Sequence, residues 1–529
     1  MTSAKIPAFL WFAIFLAALA RVSQAAPPAE PSFVFPTTGV RTSPEAVLLA
    51  IDDASLPLKR NLCFYLSKPT VRIDPVLTPN RANPDAPDFL STHFYGTVLF
   101  DQGKYRMWYY ACHRGQNPDW SPALKAQAAN WKDEIIPGPL CYAESDDGLT
   151  WRKPDLGQLL FKGSRHHNAL DLPSALTGDA CVVKDDDPDP SRRYKLAFWT
   201  HHDPWNYPTM RIATSPDGLV WKAAPRPPIR AFLEHASFYR HNGLYIVNSQ
   251  AFMLGEGGRD RGRQGVAWIS PDFDHWLQEP AESFALPAVA QLKRDEVHLG
   301  VGAASFGNVA VGLYCIWHND PDFGKISGDF GLLVSNDGIA FREPVKGHVF
   351  LKSTDSPSPA VGDRTYPTIL CQANGIVNVG DETRIYHSRW RNAGWPLTGD
   401  RVLDYYDEVA LATLPRDRWG ALGLAPRQTE GSVWSAPVVL PQDCRVELNA
   451  DGADQMTVEI ADERFGLLSD YAEGQSGRPV QGGGLACEVQ WPKGSLKPLA
   501  GRTVRFRIHM KSAGDKTPRL YAVYLKAAR

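Results

Sequence analysis

Cysteine is sparse in this chain: Cys63, Cys112, Cys141, Cys181, Cys315, Cys371, Cys444 and Cys487 are the only eight in 529 residues. None stands in a C-x-x-C spacing, which excludes zinc ribbons and small disulfide scaffolds. Cys112 with Cys141, and Cys444 with Cys487, are candidate pairs; the others read as buried thiols on apolar strands. Runs of Lys or Arg are missing too. With a net charge of −2 the sequence has no electrostatic footprint for nucleic acid or an anionic membrane surface. Beyond residue 25 no apolar stretch is long and charge-free enough to span a bilayer. A small neutral partner fits better, and no sequence feature fixes an oligomeric state.

The first 25 residues read as a secretory signal: one lysine, the apolar run Ile6–Ala20, and Ser23-Gln24-Ala25 as a small-residue cleavage site. No cysteine follows to take a lipid, so the expectation is a secreted or periplasmic protein. Residues 26–88 are Pro-rich and irregular, and read as a lead-in that wraps the next domain and lends a strand to its last unit.

One motif then recurs. ESDDGLTW (Glu144–Trp151) returns as TSPDGLVW (Thr214–Trp221), ISPDFDHW (Ile269–Trp276), VSNDGIAF (Val334–Phe341) and, degraded, TLPRDRW (Thr413–Trp419). Each copy follows an alternating apolar run, turns through Ser, Pro, Asp or Gly, and closes on an aromatic, which is the chemistry of two strands joined by a tight turn. Five such units built of short strands predict an all-β chain: a five-bladed β-propeller over 89–420. ALGLAPRQTEG and its surroundings, 421–431, read as a linker. The alternating runs over 432–529, with only Trp434 and Trp491 among the 16 tryptophans, predict a β-sandwich that packs against the propeller or binds sugar.

Loop lengths say where function lies. Second-to-third strand connections are long and rich in aromatics, His and Arg: ACHRGQNPDW, THHDPWNYP, AFMLGEGGRDRGR, HNDPDFGKISGD and HSRWRNAGWPLTGD. They gather at one face, the mouth of a central funnel. Carboxylates at the starts of the innermost strands would converge there: Asp88, Asp179, Glu234, Asp295, Glu296 and Asp363. Crowded carboxylates split into protonated and ionised members, the division glycoside hydrolysis uses. His166, His167, Asn168, His201, His202, His318, Arg389 and Trp390 offer donors and a stacking face for a saccharide. No zinc spacing is present among them, and no cofactor is called for; an ion such as Ca²⁺ in the channel is left open.

The units YRMWYYA…CYAESDDGLTW and DPDPSRRYKLAFWT…RIATSPDGLVW, with Asp179 and Glu234 at inner-strand starts, resemble the five-bladed propeller glycoside hydrolases of families 32 and 43 and unclassified bacterial relatives. The resemblance covers roughly 88–420. It implies Asp179 as transition-state stabiliser or base and Glu234 as acid. Where those families carry their first aspartate this chain has His93 in STHFYG, which leaves the base unassigned between Glu296, Asp88 and a different role for His93. Two rivals stay open: a sialidase, although Asp147 and Gly148 are adjacent where an Asp-box spaces them, and a carbohydrate-binding propeller without catalysis.

Overall fold

A computed structural model describes residues 32–131, 133–202, 207–229, 231, 233–254, 260–287, 295–394, 397, 399–514 and 517–527. The expected signal segment lies outside them. The chain is all-β. Three antiparallel sheets come first: Ser91–Asp101, Lys104–Arg114 and Ile135–Ser145; then Thr177–Lys184, Tyr194–His202, Tyr207–Ser215 and Lys222–Ala223; then His235–His241, Leu244–Leu254, Asp260–Ser270 and Ala281–Phe284. A nine-stranded sheet follows. Its first half starts at Asp295–Ser305 and its second half at Thr368–Cys371, the two joined by the parallel pairing of Gly328 with Ile369.

The first strands of the first four units are buried on both faces because they pack on one another in chain order. Val182 N–H donates to Thr97 Oγ1 at 2.8 Å, and Phe238 N–H to Asn374 Oδ1 at 2.9 Å. Asn374 also brings the fifth unit back to the first: its carbonyl accepts from Val98 N–H and its N–H donates to Gly96, both at 3.0 Å.

The recurring motif is an aspartate turn. Ser145 Oγ accepts from Gly148 N–H at 2.8 Å, while Asp147 Oδ1 accepts from Leu149 and Thr150 N–H at 2.7 and 2.8 Å. Those backbone donors hold the Asp147 carboxyl at about 2. Ser215 and Asp217 repeat the pattern, as do Ser335 and Asp337. The turn also joins neighbouring sheets, for Trp108 Nε1 donates to Gly218 O at 2.8 Å and Tyr239 Oη to Gly338 O at 2.6 Å.

Two seven-stranded sheets face each other over the C-terminal core of Val446, Val458, Phe506 and Val523. Here the structure differs from the reading of 26–88 as an irregular lead-in. Five short strands from that segment belong to these sheets: Glu45–Leu49 pairs with Arg519–Ala527, Leu58–Arg60 with Glu430–Trp434, and Leu62–Leu66 with Gly420–Leu424. Thr70–Val71 does add a strand to the fifth unit. The linker expected over 421–431 is mostly strand, Gly420–Leu424 and Glu430–Trp434. Such short strands are stabilised by partners far along the chain, which no local pattern shows. All eight cysteines are free thiols, so neither candidate disulfide exists. Cys112 Sγ lies 3.8 Å from Tyr405 Oη instead.

Candidate active site

The first strands of four units break register between His93 and Thr97, Gly178 and Cys181, His235 and Ser237, and His298 and Val301. A bulge leaves residues unpaired and re-aims their side chains. Asp179 and Leu299 accordingly take left-handed backbone, with φ of 46° and 56°. The bulges frame a cavity of about 410 Å³ holding His93, Asp179, Glu234, Arg263 and His298. Its walls are Tyr95, Tyr110, Trp199, Trp317 and Trp390, and the long connections add Trp131, Phe323 and Tyr405.

Asp179 and Glu234 are the cavity's carboxyl pair, and their partners differ. Asp179 accepts one bond, from His235 N–H at 3.1 Å. Burial, and then the neighbouring Glu234 charge, push its carboxyl well above the usual carboxylate range. Burial also raises Glu234, but Arg263 and Gln250 pull it back. Gln250 Nε2 donates to Glu234 at 2.7 Å, and its orientation is set because Gln250 Oε1 accepts from Leu299 N–H at 2.9 Å. These surroundings favour the charged form at Glu234 over Asp179.

Arg263 ties the other side together. Its Nε donates to Glu296 at 2.6 Å, another guanidinium nitrogen lies 2.9 Å from His298 Nδ1, and its plane sits 4.6 Å from the Trp317 ring centre. Burial and then the Arg263 charge keep His298 neutral, well below the ordinary histidine value. Glu296 is buried outside the cavity lining as the counter-ion of Arg263, a position that suits anchoring better than acid–base work.

His93 lines the cavity with 1% exposure. Its Nδ1 stands 2.5 Å from Oδ2 of Asp407, and its ring packs on Tyr110 and edge-on to Trp390. Burial pushes the Asp407 carboxyl up, while His93 and Ser388 pull it back.

The remaining sequence candidates lie elsewhere. Arg389 is buried on a strand, donating to the carbonyls of Arg72 and Ile73 at 2.7 and 2.9 Å, so it fixes the N-terminal segment rather than a ligand. Asn168 is buried between Tyr109 Oη and Tyr142 O. His166 is exposed beside Asp155, and His167 packs against Phe161. His318 bridges Asp295 and Asp329, which raises it to about 9; this engages Asp295 too. Asp88 pairs with Lys153 and Tyr109, and Asp363 is exposed. The side chains of His201 and His202 lie outside the described residues. Among the described residues no cluster of three His, Cys, Asp or Glu is arranged to hold a metal ion, and no helix is long and apolar enough to cross a membrane. His298, Arg263 and Asp407 were not singled out by sequence. Only the HLG and RGR segments at the strand bulges hinted at the first two.

No family model matches the chain. A stretch of 128 residues, 24% of the chain, is 31% identical to an uncharacterized protein of Mycobacterium tuberculosis, and the match spans 33% of that protein's length. Solved structures similar to the chain include an N-acetylgalactosamine deacetylase from F. plautii in complex with blood group B trisaccharide, at TM-score 0.41 and 13% identity over 67% of this chain and 96% of that one. A glycosyl hydrolase from Bacteroides ovatus aligns at TM-score 0.40 and 16% identity, over 67% and 95% of the two chains. A family 117 glycoside hydrolase from Zobellia galactanivorans aligns at TM-score 0.39 and 13% identity, over 65% and 90%.

Proposed function

We propose that the chain is a secreted or periplasmic glycoside hydrolase, its five sheet units the blades of a five-bladed propeller and the cavity the propeller's active site. The observation that carries this reading is the Asp179–Glu234 pair: two carboxyls lining one aromatic-walled cavity, both raised by burial and only Glu234 pulled back by a cation and a side-chain donor. Such a pair can deliver a proton to a glycosidic oxygen while its ionised member steadies the positive charge growing on the sugar ring. Tyr and Trp faces favour a sugar ring over an apolar ligand, because the cavity lining also offers His298 and Arg263 as fixed donors. In addition, Trp390 Nε1 is buried with no protein partner among the described residues, leaving a donor for a ligand hydroxyl. The chemistry requires no cofactor.

The resemblance to families 32 and 43 assigns the proton to Glu234. The surroundings favour Asp179 instead, since Glu234 faces Arg263 and accepts from Gln250 while Asp179 has a single backbone donor. Both substitutions therefore test the reading. Hydrolysis is measured across arabinans, fructans, xylans and aryl glycosides for the wild type, Glu234→Gln and Asp179→Asn. We expect one class to be cleaved and each variant to lose about 10²- to 10⁴-fold in kcat while remaining folded. Sugar binding without cleavage by the wild type would make the protein a binding propeller instead.

A further inference from the structure

The cavity holds two imidazoles beside the carboxyl pair, and their neighbours set them in opposite tautomers. His298 Nδ1 faces a guanidinium nitrogen of Arg263 at 2.9 Å. A guanidinium only donates, so Nδ1 is the lone-pair nitrogen and the ring proton sits on Nε2. His93 Nδ1 faces Asp407 Oδ2 at 2.5 Å. That carboxylate oxygen already accepts from Ser388 Oγ at 2.8 Å, and Ser388 Oγ in turn accepts from Phe94 N–H at 2.9 Å, which fixes the direction of the chain. His93 Nδ1 makes no aligned hydrogen bond, but a carboxylate oxygen this close repels a lone pair, so Nδ1 carries the ring proton and Nε2 the lone pair. Among the described residues no protein group hydrogen-bonds to that Nε2, and the residue lines the cavity. One imidazole is a fixed donor; the other is a fixed acceptor.

We infer that His93, held by Asp407, is the base that takes a proton from the attacking water, and that the Nε2–H of His298 binds a substrate oxygen. This rests on the hydrolase reading above. The step balances. The water oxygen bonds to the anomeric carbon as the bond from that carbon to the leaving oxygen breaks; the water proton goes to His93 Nε2, and the proton of the carboxyl pair goes to the leaving oxygen. The imidazolium then gives its proton to solvent and the pair regains one. Asp407 stays ionised, orients the ring and stabilises the charge that develops on it, making it a positioning residue. His93 stands on the first unit, where STHFYG has histidine in place of the carboxylate that the resemblance leads one to expect.

The tautomers are read directly from the folded protein by long-range ¹⁵N–¹H spectra of histidine-labelled wild type, with His93→Gln and His298→Gln supplying the assignments. We expect Nδ1–H at His93 and Nε2–H at His298 above neutral pH; Nε2–H at His93 overturns the inference. With a substrate in hand, Asp407→Asn, which removes the carboxylate charge that stabilises the imidazolium as it forms, is expected to cut kcat by about 10²- to 10⁴-fold with KM within about threefold. Added imidazole should partly restore His93→Gly. A wild type that cleaves nothing overturns both readings. A cleaving wild type with kcat kept to within about twofold in Asp407→Asn overturns the base alone.

Discussion

Asp179 and Glu296 are both buried carboxylates near the cavity, and their surroundings give their removal opposite signs. Asp179 has one backbone donor and a like charge beside it, so the fold favours its neutral form. A carboxyl whose folded-state value is raised contributes stability below its unfolded value of about 3.9, and that contribution is lost as pH rises toward the folded value. Asp179→Asn removes the cost, and asparagine tolerates the left-handed backbone at this position. We expect the variant to melt with the wild type in strong acid and above it at neutral pH, by about 0.5–2 kcal/mol. Glu296→Gln should do the reverse: it strands the Arg263 charge beside His298 and Trp317, at a cost of about 3–5 kcal/mol. Thermal melts across pH check both, and an equal loss in the two variants would refute the division of roles. Glu234→Gln should also lower the Asp179 carboxyl, since it removes the neighbouring negative charge; carboxyl-carbon NMR titration reads that shift.

Elements show the same contrast between local and distant causes. The aspartate turn is closed by residues within a few positions of one another, so Ser145, Asp147 and Gly148 announce it in sequence wherever they recur. Asp217→Ala leaves Leu219 and Val220 N–H without their acceptor, and loosens the carbonyl of Gly218 on which Trp108 rests; a loss of about 1–2 kcal/mol in chemical denaturation is expected. The bulges are different. Gly300 has φ of 88°, and a Cβ there would lie 2.4 Å from Ser249 O, so Gly300→Ala should cost about 1–3 kcal/mol or more. Gly157→Ala, with φ of 65° and open space around it, should cost only the backbone strain of about 1 kcal/mol. These bulges are why the cavity was only half legible. Asp179 and Glu234 could be found because they open strands, whereas an inserted residue breaks the period-2 alternation that would have pointed to His298. Arg389 misled for a related reason: its sequence reads as a loop, yet it lies on a strand facing away from the cavity. Nothing local joins His93 to Asp407, which meet only because the fifth unit returns to the first.

At the scale of the whole molecule, the two ends of the chain complete each other. Val47, Leu49 and Ile51 from the N-terminal segment, Val309 and Val311 from the fourth unit, and Ala522 and Tyr524 from the C-terminal strand share one apolar cluster. Burial of side chains of this size contributes roughly 1.5–3 kcal/mol each. Asn308 fastens the contact with polar bonds: it accepts from Val47 N–H and donates to Val47 O, both at 2.8 Å. Tyr524 Oη reaches Asp417, in the degraded fifth copy of the turn, at 2.7 Å. The Asp417 carboxylate thus accepts from Tyr524 and Asn378 side chains, where the other copies accept from their own backbone. The five units and the two facing sheets should therefore unfold in one calorimetric transition, not two. Asn308→Ala leaves a buried N–H and carbonyl of Val47 unpaired, a penalty of about 1–3 kcal/mol placed on the contact itself. It should separate the single peak into two, with the five units still folded through the lower one. Two resolved transitions in the unaltered chain would show that the shared cluster does not couple them, and that the N-terminal strands serve the facing sheets alone.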